Sequence, residues 1–258
     1  MAWNQGRSLV IITGASRGLG QSIAEEMATN VKEATFVLIS RDMDGLTQTE
    51  KLCQNKNKQC KVLKHSLDLS DVTNEDFEKV LQPVNFQDFD ALILVHNAGS
   101  LGNQGTKVTD FSSKTVMQKY YDLNVFSVMI LNSLVYQKST LIKNKLVINI
   151  SSLAAMQPFE TWGSYCSGKA ARDSLFKVMS VEEPGWKVLN YAPGPLDTQM
   201  IKDLLTDQET HVKIRDAFED MKAKKALLTA SQSAARLVEI LNKGSFKTGD
   251  HVDYFDDL

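Results

Sequence analysis

Tyr165 and Lys169 stand four residues apart in "GSYCSGKAARD" (Gly163–Asp173). On a helix that spacing brings two side chains onto one face. A phenol with a pKa near 10 is a poor acid–base group at neutral pH. An ammonium beside it favours the phenolate and lowers that value toward the working range. The lysine can also reach a cofactor ribose and so orient cofactor and tyrosine together. Upstream, after the apolar run "KLVINI", lies Ser152, whose hydroxyl can polarise a carbonyl oxygen while the tyrosine delivers a proton. Small residues at 167, 168, 170 and 171 leave room for a cofactor and a partner helix. A lone Tyr-x-x-x-Lys is ordinarily a surface helix pair; the upstream serine and the loop described next argue against that reading here.

"TGASRGLG" (Thr13–Gly20) joins the first apolar run to the first helical segment. Glycine is needed where backbone turns sharply and meets a ligand, since a Cβ would clash there. The free N–H groups of a helix start, helped by its dipole, then face a pyrophosphate. The loop residues Gly14, Ala15, Ser16, Arg17, Gly18, Leu19 and Gly20 are the candidate dinucleotide cradle, with glycines spaced more widely than in G-x-G-x-x-G. In NAD binders an acid about 20 residues on holds the ribose 2′-hydroxyl. Here Ser40 fills that place and Arg41 follows. Arg17 and Arg41 favour a 2′-phosphate, hence NADP, because a guanidinium fork pairs with phosphate oxygens. Asp42, one position later, is an acid that can turn to the ribose instead.

The elements that must position these groups are legible as alternation. Short β-branched runs at Ser8–Thr13, Thr35–Ser40, Cys60–His65, Ala91–His96, Lys145–Ile150, Trp186–Tyr191 and His251–Phe255 predict strands. Segments such as Leu19–Asn30 and Ser164–Val181 predict crossover helices. Strands apolar throughout predict a parallel sheet covered on both faces, and alternation of strand and helix makes it doubly wound. The polar run Cys53–Lys61 reads as a solvated turn entering a strand. Thr198–Lys225, after a Pro-Gly-Pro loop, reads equally as a lid or as a surface helical pair.

The totals narrow the classes. The chain has 258 residues, 43% hydrophobic and 23% charged, as expected of one globular α/β domain over residues 1–258. A formal charge of −2 provides no global basic field for nucleic acid or anionic lipid. Three cysteines without metal-ligand spacing suggest reduced thiols, no metal and a cytoplasmic setting. No run of 18 apolar residues is present, "MAWNQGRSLV" lacks a signal-peptide stretch, and "YFDDL" matches no retention or lipidation signal.

With "TGASRGLG", "HNAG" (His96–Gly99), Asn124 in "LNVFS", Ser152 and "YCSGK" (Tyr165–Lys169) in place, the chain resembles the short-chain dehydrogenase/reductase family over essentially its whole length. The resemblance implies a Rossmann-like domain with a seven-stranded parallel sheet, a nicotinamide cofactor and a homodimer. It implies catalysis by Asn124, Ser152, Tyr165 and Lys169, with Asn124 holding a water that relays protons to Lys169. It implies cofactor contacts from Asn97, Ala98 and Gly99, from Asp68 and Leu69 at the adenine, and from Leu196, Asp197, Thr198, Gln199, Met200 and Ile201 at the nicotinamide end. His96 stands where the family often has asparagine, and is expected to pack beside the glycine turn. For the dimer, apolar Val125–Val135 fits an interface or a helix buried against the sheet.

A closer resemblance, in "NISSLAAMQPFETWGSYCSGKAARDSLF", "EEPGWKVLNYAPGPLDTQM" and "GDHVDYFD", is to that family's reductases of pterin side-chain carbonyls. It implies a small-molecule pterin as substrate. A pterin's 2-amino group and ring N–H form a donor edge that a carboxylate can meet with two parallel acceptors. Asp253 is the candidate for that anchor, and the resemblance assigns it the same role. Gly194 lets backbone approach the substrate. Trp162, Met156 and Met200 either wall a flat heterocycle or are plain core. Two other functions compete: a broad NADPH carbonyl reductase, which needs Ser152, Tyr165 and Lys169 without Asp253, and a non-catalytic NADP-sensing protein.

Overall fold

The computed structural model describes residues 3–257. β1 (Arg7–Thr13) leads through the glycine loop into α1 (Gly18–Asn30), and β2 (Glu33–Ser40), α2 (Met43–Lys56), β3 (Cys60–Ser66) and α3 (Asn74–Leu81) follow. β4 (Ala91–His96) precedes α4 (Lys114–Tyr121), a π-type turn over Asp122–Phe126, and α5 (Ser127–Lys138). Then come β5 (Asn144–Ile150), α6 (Gly163–Glu182), β6 (Trp186–Ala192), α7 (Gln199–Thr206), α8 (Val212–Ala223), α9 (Ala230–Lys243) and β7 (His251–Asp253).

The strands form one sheet in the order β3-β2-β1-β4-β5-β6-β7, every neighbouring pair parallel. Successive strand residues point to opposite faces, so β1 sends Val10 and Ile12 one way and Leu9 and Ile11 the other. On the first face they meet Ile23 and Met27 of α1 and Leu237 and Leu241 of α9. On the second they meet Phe77, Leu131, Val135 and Phe176. Each such side chain contributes about 1.5–3 kcal/mol when fully buried, which is why the central strands carry no alternation. β3 is the exception: an edge strand, it presents Lys61 and Lys64 and is mostly half-buried, a pattern that discourages further pairing. Chain order reverses between β1 and β4, and beyond the strand ends at such a point α/β sheets open a ligand crevice.

The strand expectations hold within two residues throughout, and the end of the chain is where a strand is shorter than expected. β7 stops at Asp253 rather than Phe255, because the Asp253 N–H donates to Asp256 Oδ2 and the Phe255 N–H to Asp253 Oδ1, closing a turn. In the polar run 53–61, Cys53–Lys56 form the last turn of α2 rather than loop, with the Cys53 thiol buried and its pKa pushed up to about 12. α5 is the helix buried against the sheet, through Val128, Leu131 and Val135, while Phe126, just before it, and Met129 are exposed. Among the described residues no helix is long and apolar enough to cross a membrane.

Candidate active site

The site lies at the carboxyl ends of β1, β4 and β5. The cradle begins where β1 ends. Gly14 and Gly18 take positive φ, 67° and 57°, which side chains rarely tolerate. A Cβ on Gly20 would meet the Gly14 carbonyl oxygen, so α1 can start this close to the strand only with glycine there. α3 and α9 begin with capping boxes and α2 with an Asp42 cap. α1 has neither a side-chain cap nor an acid in its first turn. Its first N–H groups are therefore left for an anionic ligand, as a nicotinamide dinucleotide requires. Asn97 secures the cradle from β4: its Nδ2 donates to the Thr13 and Gly14 carbonyls, each at 3.0 Å, and the N–H groups of Asn97 and Ala98 donate to Thr13 Oγ1.

At the end of β2, Ser40 and Ser16 share a hydrogen bond of 2.8 Å, bringing the strand to the loop. Asp42 is occupied as the cap of α2, its Oδ1 accepting from the Gly45 N–H at 3.0 Å. Arg17 and Arg41 are exposed, and Arg41 pairs loosely with Asp68 at 3.8 Å. Hydrogen bonds from Ser70 hold the Asp68 carboxyl below its ordinary pKa, and Leu69 beside it is buried. At the other end Thr198, which opens α7, lies 3.7 Å from where a Gly18 Cβ would stand, so the start of α7 meets the glycine loop.

Tyr165 and Lys169 occupy the first turns of α6 and are buried. Burial raises the Tyr165 pKa, while a hydrogen bond from Ser152 and the charge of Arg172 oppose that rise. Lys169 Nζ donates to the Ile150 carbonyl at 2.7 Å and lies 5.6 Å from the Tyr165 ring centroid. Burial, then Arg172, hold its pKa well below the usual lysine value. The cation that opposes the rise at the phenol is therefore Arg172, where the sequence pointed to Lys169. Asn124 sits in the π-type turn, its Oδ1 accepting from the Ser100 N–H at 2.9 Å and its Nδ2 donating to the Tyr120 carbonyl. A Cβ on Gly99 would stand 3.0 Å from that Oδ1.

Trp162 packs edge-on to Tyr165 at 5.3 Å and meets Phe218 of α8 at 6.3 Å. Ile201, Leu204 and Ile214 complete a third apolar cluster with them, and Met200 joins its edge. The helical pair 199–223 therefore covers the site. Glu160 tethers it, pairing with His211 at 3.3 Å and Lys213 at 3.1 Å. Met156 is exposed. Gly194 has φ 74° and its Cβ position faces Leu228, so backbone geometry alone demands glycine there. Asp253 ends β7. An open surface cavity of about 550 Å³ is lined by Glu78, Gln82, Asn85 and Lys138 and shares no residue with the site.

The residues that sequence reasoning missed are Thr13 as a staple and the adjacent pair Arg172 and Asp173. Arg172 is fully buried without an acid in ion-pair range; its Nε donates to Asn149 Oδ1 at 2.7 Å, its Nη1 to the Ala98 carbonyl and its Nη2 to the His96 carbonyl. Nothing in their spacing distinguishes 172 and 173 from solvated helix charges. Among the described residues no cluster of three or more His, Cys, Asp or Glu side chains could hold a metal.

Over residues 8–209 the chain matches the short chain dehydrogenase family. It is 33% identical over 260 residues to the sepiapterin reductase of Bos taurus, covering 98% of this chain and 96% of that protein. Benzil reductase ((S)-benzoin forming) of Bacillus cereus is 30% identical over 249 residues, covering 93% and 96%. Among solved structures, the KRED1-Pglu enzyme is similar with a TM-score of 0.82 at 26% identity, covering 95% of this chain and 100% of that one.

Proposed function

The chain belongs to the short-chain dehydrogenase family and is an oxidoreductase, and on that premise we propose that it reduces the side-chain ketone of a pterin with NADPH. The substrates in this reading are sepiapterin, giving dihydrobiopterin, and 6-pyruvoyl-tetrahydropterin, giving tetrahydrobiopterin as the last step of its synthesis. The observation that carries it is the near-full-length likeness to the bovine sepiapterin reductase, taken with a carboxylate, Asp253, at the end of the strand beside β6.

The reduced nicotinamide, when bound, supplies the hydride. The chain supplies everything else. Ser152 and Tyr165 hydrogen-bond the carbonyl oxygen, and Tyr165 gives it a proton as charge develops there. Arg172 favours the phenolate left behind, and Lys169, fixed by the Ile150 carbonyl, stands beside the ring to return a proton to it. Asn124 holds the turn that faces Gly99 and gives a relay water a polar seat. Trp162 and the covering helices exclude bulk water, which strengthens each of these interactions. Asp253 accepts from the donor edge of the pterin and so selects the ketone presented. NADP is favoured over NAD because Asp42 is engaged at the start of α2, while exposed Arg17 and Arg41, the latter only loosely paired with Asp68, can turn to a 2′-phosphate.

A second reading, a broad carbonyl reductase, has support from the likeness to benzil reductase. NADPH oxidation with sepiapterin, run beside NADH and diacetyl, separates the two. Fast NADPH-dependent turnover of sepiapterin with weak turnover of diacetyl is expected. Strong diacetyl turnover with none of sepiapterin would leave the chemistry intact and discard the pterin.

A further inference from the structure

We propose that Asp173 and His251 form a positioning pair that sets the Asp253 carboxylate against the catalytic helix; this rests on the reading of Asp253 as the pterin anchor. β7 is three residues long and lies at the sheet edge, registered on β6 only through Asn190, Tyr191 and Ala192. So short an edge strand is weakly held by its ladder, yet an anchor must stand at a fixed distance from the reacting carbonyl. Side chains supplement the ladder: Arg236 of α9 donates to the Tyr254 and Asp256 carbonyls, and one contact reaches α6. His251 Nδ1 donates to Asp173 Oδ2 at 2.6 Å. The other oxygen of the same carboxylate accepts from Ser151 Oγ at 2.6 Å and from Asn149 Nδ2 at 3.0 Å. Asp173 is almost fully buried, so its orientation is fixed by these three donors.

The spacing on both partners gives the tie its function. Tyr165, Lys169 and Asp173 recur every four residues and share one face of α6. His251 and Asp253 are two apart on a strand and therefore project to the same side of the sheet. Because His251 reaches α6, Asp253 projects toward the α6 side as well. The strand end that carries the anchor is thereby bolted to the helix that carries the proton donor.

The test is steady-state kinetics of the full chain with saturating NADPH, with sepiapterin and diacetyl as alternative substrates. His251→Ala is expected to raise KM for sepiapterin by about tenfold and to leave kcat and the diacetyl KM within twofold. His251→Asn, whose amide N–H can take the place of the ring Nδ1–H, is expected to restore most of the loss. If the alanine variant fails to fold, His251→Gln, whose amide is carried one methylene too far, replaces it in the comparison. Asp253→Ala serves as the reference for a lost anchor. An unchanged sepiapterin KM in the His251 variants beside a raised one in Asp253→Ala overturns the pair and leaves the anchor standing. Unchanged values in both overturn the anchor and the pair together. Equal rises for both substrates in His251→Ala reduce the contact to general stability and overturn the positioning role.

Discussion

His96 is fully buried at the end of β4, its ring 5.4 Å from that of Phe176. Burial first, and the nearby Arg172 guanidinium second, hold its pKa down to about 3, against a weak opposing effect of Asn132. An exposed histidine in the unfolded chain titrates near 6.5. Above about pH 6.5 neither state binds the proton and stability is unaffected. Below it only the unfolded chain takes the proton up, so stability falls until the pH nears the folded value of about 3. Each pH unit in that window costs about 1.4 kcal/mol per proton. Between pH 7.5 and 5 the loss from this one residue is about 2 kcal/mol. His96→Leu removes the titration and nearly conserves volume, so the variant is expected to be near-neutral at pH 7.5. Urea unfolding of both proteins at pH 7.5, 6.5, 5.5 and 5 measures the difference, and the other titrating groups cancel between them. Parallel stability curves, within about 0.5 kcal/mol across that range, would refute the reasoning. They would mean that the buried ring finds a proton acceptor in the folded state.

Three further outcomes follow from the site. Tyr165→Phe is expected to lower turnover by about 10²–10⁴-fold while NADPH fluorescence titration still reports binding, since the phenol lies at the reacting end of the site. Gly20→Ala places a methyl against the Gly14 carbonyl oxygen and 2.5 Å from Asn97 Nδ2. It should therefore abolish measurable cofactor binding and lower Tm, whereas Gly18→Ala, whose methyl meets nothing closer than 3.7 Å, should cost only its backbone strain of about 1–2 kcal/mol. Arg41→Ala should raise KM for NADPH about tenfold and leave NADH turnover unchanged; equal effects on both cofactors would remove the 2′-phosphate argument.

The sheet was legible in the sequence because burial on both faces leaves a run of β-branched residues that little else produces. The placement of Tyr165, Lys169 and Ser152 was legible for a related reason: Tyr165 and Lys169 stand at helical spacing on α6, and Ser152 follows a strand, so local pattern encodes their positions. Where local pattern is ambiguous, tertiary packing decided. The segment 199–223 reads as a lid or a surface pair from its own residues; only Ile201, Leu204 and Phe218 meeting Trp162 and Tyr165 make it a cover. Asp42 reads as an acid able to turn to the ribose, and its own position does not announce that the first turn of α2 also uses its carboxylate.

Arg172 and Asp173 mark the limit most clearly. As neighbours of opposite charge on a helix they read as a self-compensating surface pair. Yet consecutive helical residues point about 100° apart, so they cannot pair with each other and must find separate partners. Arg172 takes the carbonyls at the end of β4, and Asp173 takes His251 of β7, 78 residues further along the chain. Asn149 of β5 lies between, accepting from Arg172 Nε and donating to Asp173 Oδ1. A buried guanidinium with no carboxylate in contact is costly in isolation. Here one neutral amide relays it to an acid, and the pair reaches three strand ends from one helical turn. The requirement for that chain of contacts arises only once parallel topology has brought β4, β5 and β7 beneath α6, which is why no spacing in the sequence announces it.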